Sequence, residues 1–206
     1  MKLMYSPGAC SVGIHVLLEE IGKPYEAQLV NLREGGQFKP EFTAVNPKSK
    51  VPTLVRDDGS VLTEFPAIAY WLARTNPQAK LLPDDADAQA RALEAMDYVV
   101  STMHMQGFTR IFRPGNFSPN TADEAAVKAR GKEIFEKGLA VMDKTLEGKE
   151  YVVGPFSIAD AALFYVEFWA AARVKMDLPA NCAAHYKRML ARPAVQRMMQ
   201  QEGLAA

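Results

Sequence analysis

Met1-Lys2-Leu3-Met4-Tyr5-Ser6-Pro7-Gly8-Ala9-Cys10-Ser11-Val12 opens the chain, and Asn46-Pro47-Lys48-Ser49-Lys50-Val51-Pro52-Thr53-Leu54 follows further on. The first stretch reads as a short strand, Lys2 to Tyr5, and a turn, Ser6-Pro7-Gly8-Ala9, that delivers Cys10 to the start of a helix. The second sets a proline directly after Val51 and just before the strand-like Thr53-Leu54-Val55. Together they describe a domain that handles a thiol and holds a small peptide.

Working outward, Ile14, Leu17, Leu18 and Ile21 fall at i, i+3, i+4 and i+7, so Val12 to Ile21 reads as a helix with one apolar face. Ser11 is its expected N-cap and Gly22 its stop. Tyr25 to Val30 follows as a second strand, which makes residues 1–31 a βαβ unit with parallel strands. Arg33 to Phe42 is polar and contains glycine, a loop or weak short helix. Thr53 to Arg56 and Ser60 to Leu62 are short strands joined by Asp57-Asp58-Gly59, a hairpin signal. Thr63 is then expected to cap a helix carrying Phe65, Ile68, Ala69 and Leu72 on one face, with Pro66 in its first turn.

Residues 77–86 close this pattern with two prolines and two acids, and they separate a domain at 1–80 from one at 87–206. The second is expected to be helical throughout. Leu93, Met96, Val100, Met103 and Gly107 step by three and four along a long helix. Arg113 to Asn120 breaks it, and Ala125 to Leu146 forms the next. Ser157-Ile158-Ala159-Asp160 matches a capping box with Asp in place of Glu. The helix it opens is apolar nearly all round, as a buried central helix should be. Leu178 to Leu204 holds one or two final helices, with Pro193 opening the last.

The chain has 206 residues, 49% of them hydrophobic and 23% charged, the balance of an ordinary globular protein. Its formal net charge is zero, which argues against a nucleic-acid partner held by a basic field and against a polybasic membrane anchor. No stretch approaches the ~20 apolar residues of a membrane span. The first residues lack the apolar core of a signal peptide. Two widely separated cysteines, Cys10 and Cys182, suit a reducing compartment, so the expected location is cytoplasmic.

Cys10 is the first candidate for chemistry. A free thiol has a pKa of ~8.5, and a helix N-terminus is expected to lower it through unpaired N–H groups and the positive dipole end. Hydroxyls at Tyr5, Ser6 and Ser11 stand nearby and could donate to a thiolate. The plainer alternative is a small buried hydrophobe, the usual state of a free cysteine. Val51-Pro52 is either an ordinary trans bond or a cis bond, whose preceding N–H and C=O could pair with an extended peptide. Glu64 either complements the helix dipole or pairs with a ligand ammonium, while the helix N–H groups hold a carboxylate. His15 and His185 stand alone, and His104 lies seven residues after Asp97. None has metal-ligand spacing, so no metal is expected. Tyr165, Phe168 and Trp169 read as core.

These residues resemble the glutathione transferase superfamily, closest to its bacterial beta class, over essentially the whole chain. Tyr5 to Ser11 resembles the beta-class start, and Asn46 to Leu54 the superfamily's cis-proline segment. Leu62-Thr63-Glu64 with Ala67-Ile68 resembles its carboxylate-binding helix start, and Ser157 to Asp160 its capping box. The resemblance implies a thioredoxin-like α/β domain of order βαβ-α-ββα followed by an all-helical domain. It implies a cytoplasmic homodimer that binds glutathione as co-substrate and presents its thiolate to a small hydrophobic electrophile.

By the same resemblance Cys10 lies beside the glutathione sulfur, with Ser11 and Tyr5 as further catalytic candidates. Val51 pairs its backbone with the cysteinyl part and Pro52 is cis. Lys50 sits near the glycyl carboxylate, Glu64 and the Phe65 N–H take the γ-glutamyl end, and Arg33 assists. Met103, His104, Met105, Phe108 and Phe112, with Gln106 and Arg110, shape the electrophile pocket. Three residues depart from the pattern. Phe65 replaces a Ser or small residue, Pro66 is uncommon in its helix, and Met105 stands where beta-class members carry a His. His104 comes one residue earlier, about 100° around an α-helix. Two other functions use the same fold: a glutathione-dependent thiol reductase or peroxidase in which Cys10 itself attacks, and a non-catalytic binding protein.

Overall fold

The computed structural model describes residues 1–204, which form two compact units. The first comprises Met1–Leu82 together with the chain from Arg188 onward, and the second is Pro83–Lys187. The expected helical domain at 87–206 therefore gives up its C-terminal portion to the first unit.

The first unit runs β1 (Lys2–Tyr5), α1 (Ser11–Ile21), β2 (Glu26–Leu29), α2 (Pro40–Thr43), β3 (Thr53–Val55), β4 (Val61–Thr63) and α3 (Phe65–Thr75). Sheet order is β2-β1-β3-β4; β1 and β2 are parallel, and the other two pairings are antiparallel. This is the expected βαβ-α-ββα order of a thioredoxin-like domain. The stretch expected as a loop or weak helix, Arg33 to Phe42, resolves into two short 3₁₀ turns and the single turn of α2. Leu3 and Leu54 are fully buried, as are Ile14, Leu17, Ile68 and Leu72 from α1 and α3. Gly22 ends α1 at φ 70°, with its N–H returning to the Leu18 carbonyl, the left-handed stop that glycine adopts without a Cβ penalty. Two caps fall one residue from expectation. Cys10, not Ser11, takes the cap position of α1, and Glu64, not Thr63, takes that of α3.

The second unit opens with α4 (Ala86–Asp97), but the long helix does not stay α-helical. Tyr98–Phe108 is a π-helix, and α5 (Thr109–Phe112) completes the rod. A π-helix bonds i to i+5, and this changes which side chains turn inward. Met96, Val99, Met103 and Gly107 are buried, so Val99 takes the place expected of Val100. The rod packs closely on α6 (Glu124–Thr145) because glycines remove the Cβ atoms between them. A Cβ on Gly138 would lie 2.4 Å from Met103 Cγ, and one on Gly131 2.8 Å from the Gly107 carbonyl oxygen.

α7 (Ile158–Phe168) is buried at every position and passes into a second π segment, Trp169–Val174. Its capping box forms as expected. Ser157 Oγ accepts the Ala159 N–H, and Asp160 Oδ2 accepts the Ser157 N–H at 2.7 Å. α8 (Ala180–Leu190) follows, and α9 (Pro193–Glu202) belongs to the first unit, where it packs on α1. Among the described residues no helix is long and apolar enough to cross a membrane.

Candidate active site

The Ser6–Ala9 turn holds Cys10 over the cis-proline loop. Cys10 is partly buried, and its S–H donates to the Val51 carbonyl at 3.3 Å. The Val51–Pro52 bond is cis. Val51 packs with Met4, Val30 and Phe42. Burial pushes the Cys10 thiol up to about 12. The backbone N–H groups of Cys10 and Ser11 and the Lys50 ammonium pull against burial, while Glu64 adds to it. The expectation that the helix end lowers this thiol is therefore overturned: withdrawal from water outweighs the helix end, and Cys10 is a neutral donor at pH 7.

The other two catalytic candidates sit elsewhere. Ser11 is fully buried, and its hydroxyl closes on Ser6, accepting that N–H and donating to that carbonyl, both at 3.2 Å. It braces the turn. Tyr5 alternates with Met4 along β1, so it points to the opposite face from Val51. There its ring lies 5.3 Å from that of fully buried His15. Burial, with Glu202 assisting, raises the Tyr5 hydroxyl above its ordinary value.

Asn46 fixes the loop before the cis bond. Its Nδ2 donates to the Lys50 carbonyl and to Thr53 Oγ1, each at 2.8 Å, and its Oδ1 accepts the Lys48 N–H at 3.0 Å. Ser49 adopts φ 55°. Glu64 stands at the cap of α3 with φ 68° and ψ 125°. Such backbone costs on the order of 1–3 kcal/mol for a residue with a Cβ and persists where the surroundings impose it. Its carboxylate makes no cap bond and instead meets Lys48 Nζ at 2.8 Å. Lys50 is exposed, and both Lys50 and Glu64 act electrostatically on the Cys10 thiol. Phe65 is buried at the first position of α3. Arg33 is exposed on a 3₁₀ turn, its N–H held by Asn31 Oδ1 at 3.1 Å.

Two groups escape sequence reasoning here. Glu202, near the end of α9, accepts the Gly8 N–H at 2.9 Å through Oε2 and meets His15 Nδ1 at 2.8 Å through Oε1. No local signal could have found it, since Gly8 and Glu202 lie at opposite ends of the chain. Lys48 lies inside the diagnostic loop but has no role in the resemblance.

The residues expected to shape the electrophile pocket divide. Met103 is fully buried and lies where a Gly138 Cβ would be, so it packs in the core, as its place on the apolar stripe implies, and does not line a pocket. Met105 is exposed. His104 meets the Trp169 ring edge-on at 4.7 Å, and its Nδ1 lies 3.4 Å from the Tyr165 hydroxyl. Phe108 stacks on Trp169 at 4.2 Å and 23°, and Phe112 stacks on Phe108 at 5.6 Å and 16°. The three rings make a column whose outer member, Phe112, is 64% exposed. Arg110 donates to Gln106 and lies over Phe117. Among the described residues no group of His, Cys, Asp or Glu is arranged to hold a metal.

Comparison with known proteins matches residues 8–75 to the glutathione S-transferase N-terminal domain and residues 125–188 to the C-terminal domain of the same name. The chain is 39% identical to glutathione S-transferase GstA of Escherichia coli O157:H7, covering 99% of this chain and all of that protein. Among solved structures, a beta-class glutathione S-transferase from Sphingomonas chungbukensis is 36% identical with a TM-score of 0.84, each chain covered in full. A glutathione transferase homologue from Sulfitobacter, solved with bound glutathione, is 29% identical with a TM-score of 0.88, covering 99% of this chain and 98% of that one.

Proposed function

This chain belongs to the glutathione S-transferase superfamily, on its bacterial beta-class side, and we propose that its first unit binds glutathione and activates the tripeptide's own thiol. The observation that carries the reading is the convergence of four groups: the Cys10 S–H on the Val51 carbonyl, with the charges of Lys50 and Glu64 acting on the same thiol. Backbone groups at Val51 suit an extended peptide. The Lys50 ammonium suits a terminal carboxylate, and Glu64 suits an α-ammonium. When the peptide takes the Val51 backbone, the Cys10 S–H turns from that carbonyl to the glutathione sulfur, which favours the thiolate there. A thiolate of lowered pKa is more abundant at neutral pH, although its intrinsic nucleophilicity falls in step.

The thiolate attacks a small hydrophobic electrophile, forming a thioether and releasing the leaving group or opening the acceptor bond. Within the second unit, the exposed face of Phe112, backed by Phe108 and Trp169, is an apolar stacking surface. The reading extends to a cytoplasmic homodimer, the usual state of the family, which sedimentation and cell fractionation check. A reductase or peroxidase in which Cys10 attacks is the weaker reading, because a thiol held at about 12 is a poor nucleophile at neutral pH.

Isothermal titration with reduced glutathione tests this. Wild type is expected to bind in the micromolar-to-millimolar range and Glu64→Ala at least about tenfold more weakly, the loss of one charge-assisted hydrogen bond. Equal binding by both forms contradicts the assignment of Glu64, and no binding by wild type contradicts the whole reading.

A further inference from the structure

Lys48 already occupies part of the position at which Glu64 would meet a ligand. Its Nζ lies 2.8 Å from Glu64 Oε1 and donates to Thr63 Oγ1 at the same distance. The side chains are 52% and 58% exposed, so the pair sits in water and opens at little cost. What sets it apart from an ordinary surface pair is the scaffold on both sides. The Lys48 backbone is pinned by the buried Asn46 through the 3.0 Å bond to its N–H, next to Ser49 in the left-handed region. Glu64 is held at positive φ on the cap of α3, and its carboxylate makes no bond to the helix N–H groups. Both partners are aimed by strained or pinned backbone, at the point where the helix also presents its positive end.

An ammonium arriving at Glu64 is the same chemical group as the one already there. Glu64 has two oxygens, and Lys48 covers Oε1. A ligand with only an ammonium therefore competes with Lys48 and leaves two cations crowded at one carboxylate. A ligand with only a carboxylate must draw Lys48 from Glu64 and leaves that carboxylate without its cation. A ligand carrying both charges on one carbon resolves both problems. Its ammonium takes Glu64, and its carboxylate receives Lys48 and faces the start of α3. The pairs exchange and no charge is stranded.

From this geometry we infer that Lys48 is a specificity-determining residue, which makes the Glu64 end of the site select a zwitterionic α-amino-acid terminus over a simple amine. This rests on the reading of Glu64 given above and adds the discriminating partner.

The test compares glutathione with 4-aminobutyryl-cysteinylglycine, the same peptide without its α-carboxylate, titrated calorimetrically into the full-length protein. Wild type and Lys48→Met are measured side by side, with Glu64→Gln as the control for the underlying site. The Lys48 side chain is half-exposed and its ion pair lies in water, so Lys48→Met is expected to fold normally, which the melting temperature checks. Wild type is expected to prefer glutathione, and in Lys48→Met the ratio of the two dissociation constants is expected to shrink by about tenfold, two exposed charge interactions' worth. Most of that change should come from tighter binding of the amine-only peptide. An unchanged ratio, or a loss of affinity common to both peptides, overturns the role of Lys48 while leaving Glu64 in place. If Glu64→Gln leaves glutathione affinity unaltered, the reading of the site itself is wrong and this inference falls with it.

Discussion

Two histidines are buried completely in this protein, one in each unit, and the difference between their surroundings separates site from scaffold. Both place Nδ1 2.8 Å from a glutamate, His15 on Glu202 and His185 on Glu167. Their other nitrogens differ. His15 Nε2 meets the neutral amide oxygen of Gln201 at 2.7 Å, while His185 Nε2 meets a second carboxylate, Asp160 Oδ1, at 3.2 Å. The glutamate of the first cluster also holds the Gly8 N–H, two residues before Cys10. The second carboxylate of the other cluster also holds the Val152 and Ser157 N–H groups and the Ser157 hydroxyl, hence the start of α7. One cluster braces the turn that carries the thiol; the other braces the centre of the helical unit.

Removing the key carboxylate from each cluster should expose that division. Asp160→Ala strips four donors of their acceptor, including a buried histidine, and is expected to cost about 3–5 kcal/mol in urea unfolding. Conjugation per folded molecule should survive it. Glu202→Ala leaves only the Gly8 N–H and His15 without their partner, and about 2 kcal/mol is expected. Here conjugation measured well below the melting temperature should fall by more than the folded fraction does. If the two variants lose activity in the same proportion to folding, the division does not hold.

The pH dependence of stability sharpens the contrast. Burial raises Glu167 to about 7 from 4.5, and although burial lowers His185, its two carboxylates lift it to about 9 from 6.5. Both groups hold protons in the folded state that they release on unfolding. The two groups touch and titrate as a pair, so their joint contribution is complete at low pH and is lost as pH rises from about 4.5 to about 9. The melting temperature is expected to fall from pH 5 to pH 9. Glu167→Gln should flatten that slope, and an unchanged slope would place the titrating groups elsewhere.

The smallest effect expected is that of Tyr5→Phe. The ring stays beside His15 and only the hydroxyl is lost, on the face of β1 away from Val51. Glutathione conjugation should change by less than about twofold, which is within the range of surface effects. A large loss would return Tyr5 to the catalytic set.

Much of the first unit was legible because its signals are local. A strand, a turn and an apolar stripe specify the βαβ unit and Asp57-Asp58-Gly59 specifies the hairpin; in the second unit, Ser157 with Asp160 specifies the capping box just as locally. The π segments were not legible, because the apolar residues still offer steps of three and four along the sequence and no local residue marks the change from i→i+4 to i→i+5 bonding. Val99 and Val100 can be told apart only by the packing against α6 and α7. Ser11 and Tyr5 were candidates as hydroxyls near a thiol in sequence, but a strand alternates its faces and a tight turn consumes its own hydroxyl. Glu202 reaches the site only through the tertiary fold. The thiol of Cys10 shows the same limit, since position on a helix predicts one direction of shift and burial, which sequence does not disclose, produces the other.

The neutral state of Cys10 is the point on which the account turns. Ultraviolet titration of thiolate in the glutathione complex measures it directly, with S-methylglutathione as the ligand that cannot ionise. The account predicts one thiolate per site near pH 7 with glutathione and none with S-methylglutathione, and a rise of about one pKa unit for the bound thiol in Cys10→Ala. A thiolate that persists with S-methylglutathione would mean that Cys10 is itself ionised, and the nucleophile would then be the protein's sulfur rather than the ligand's.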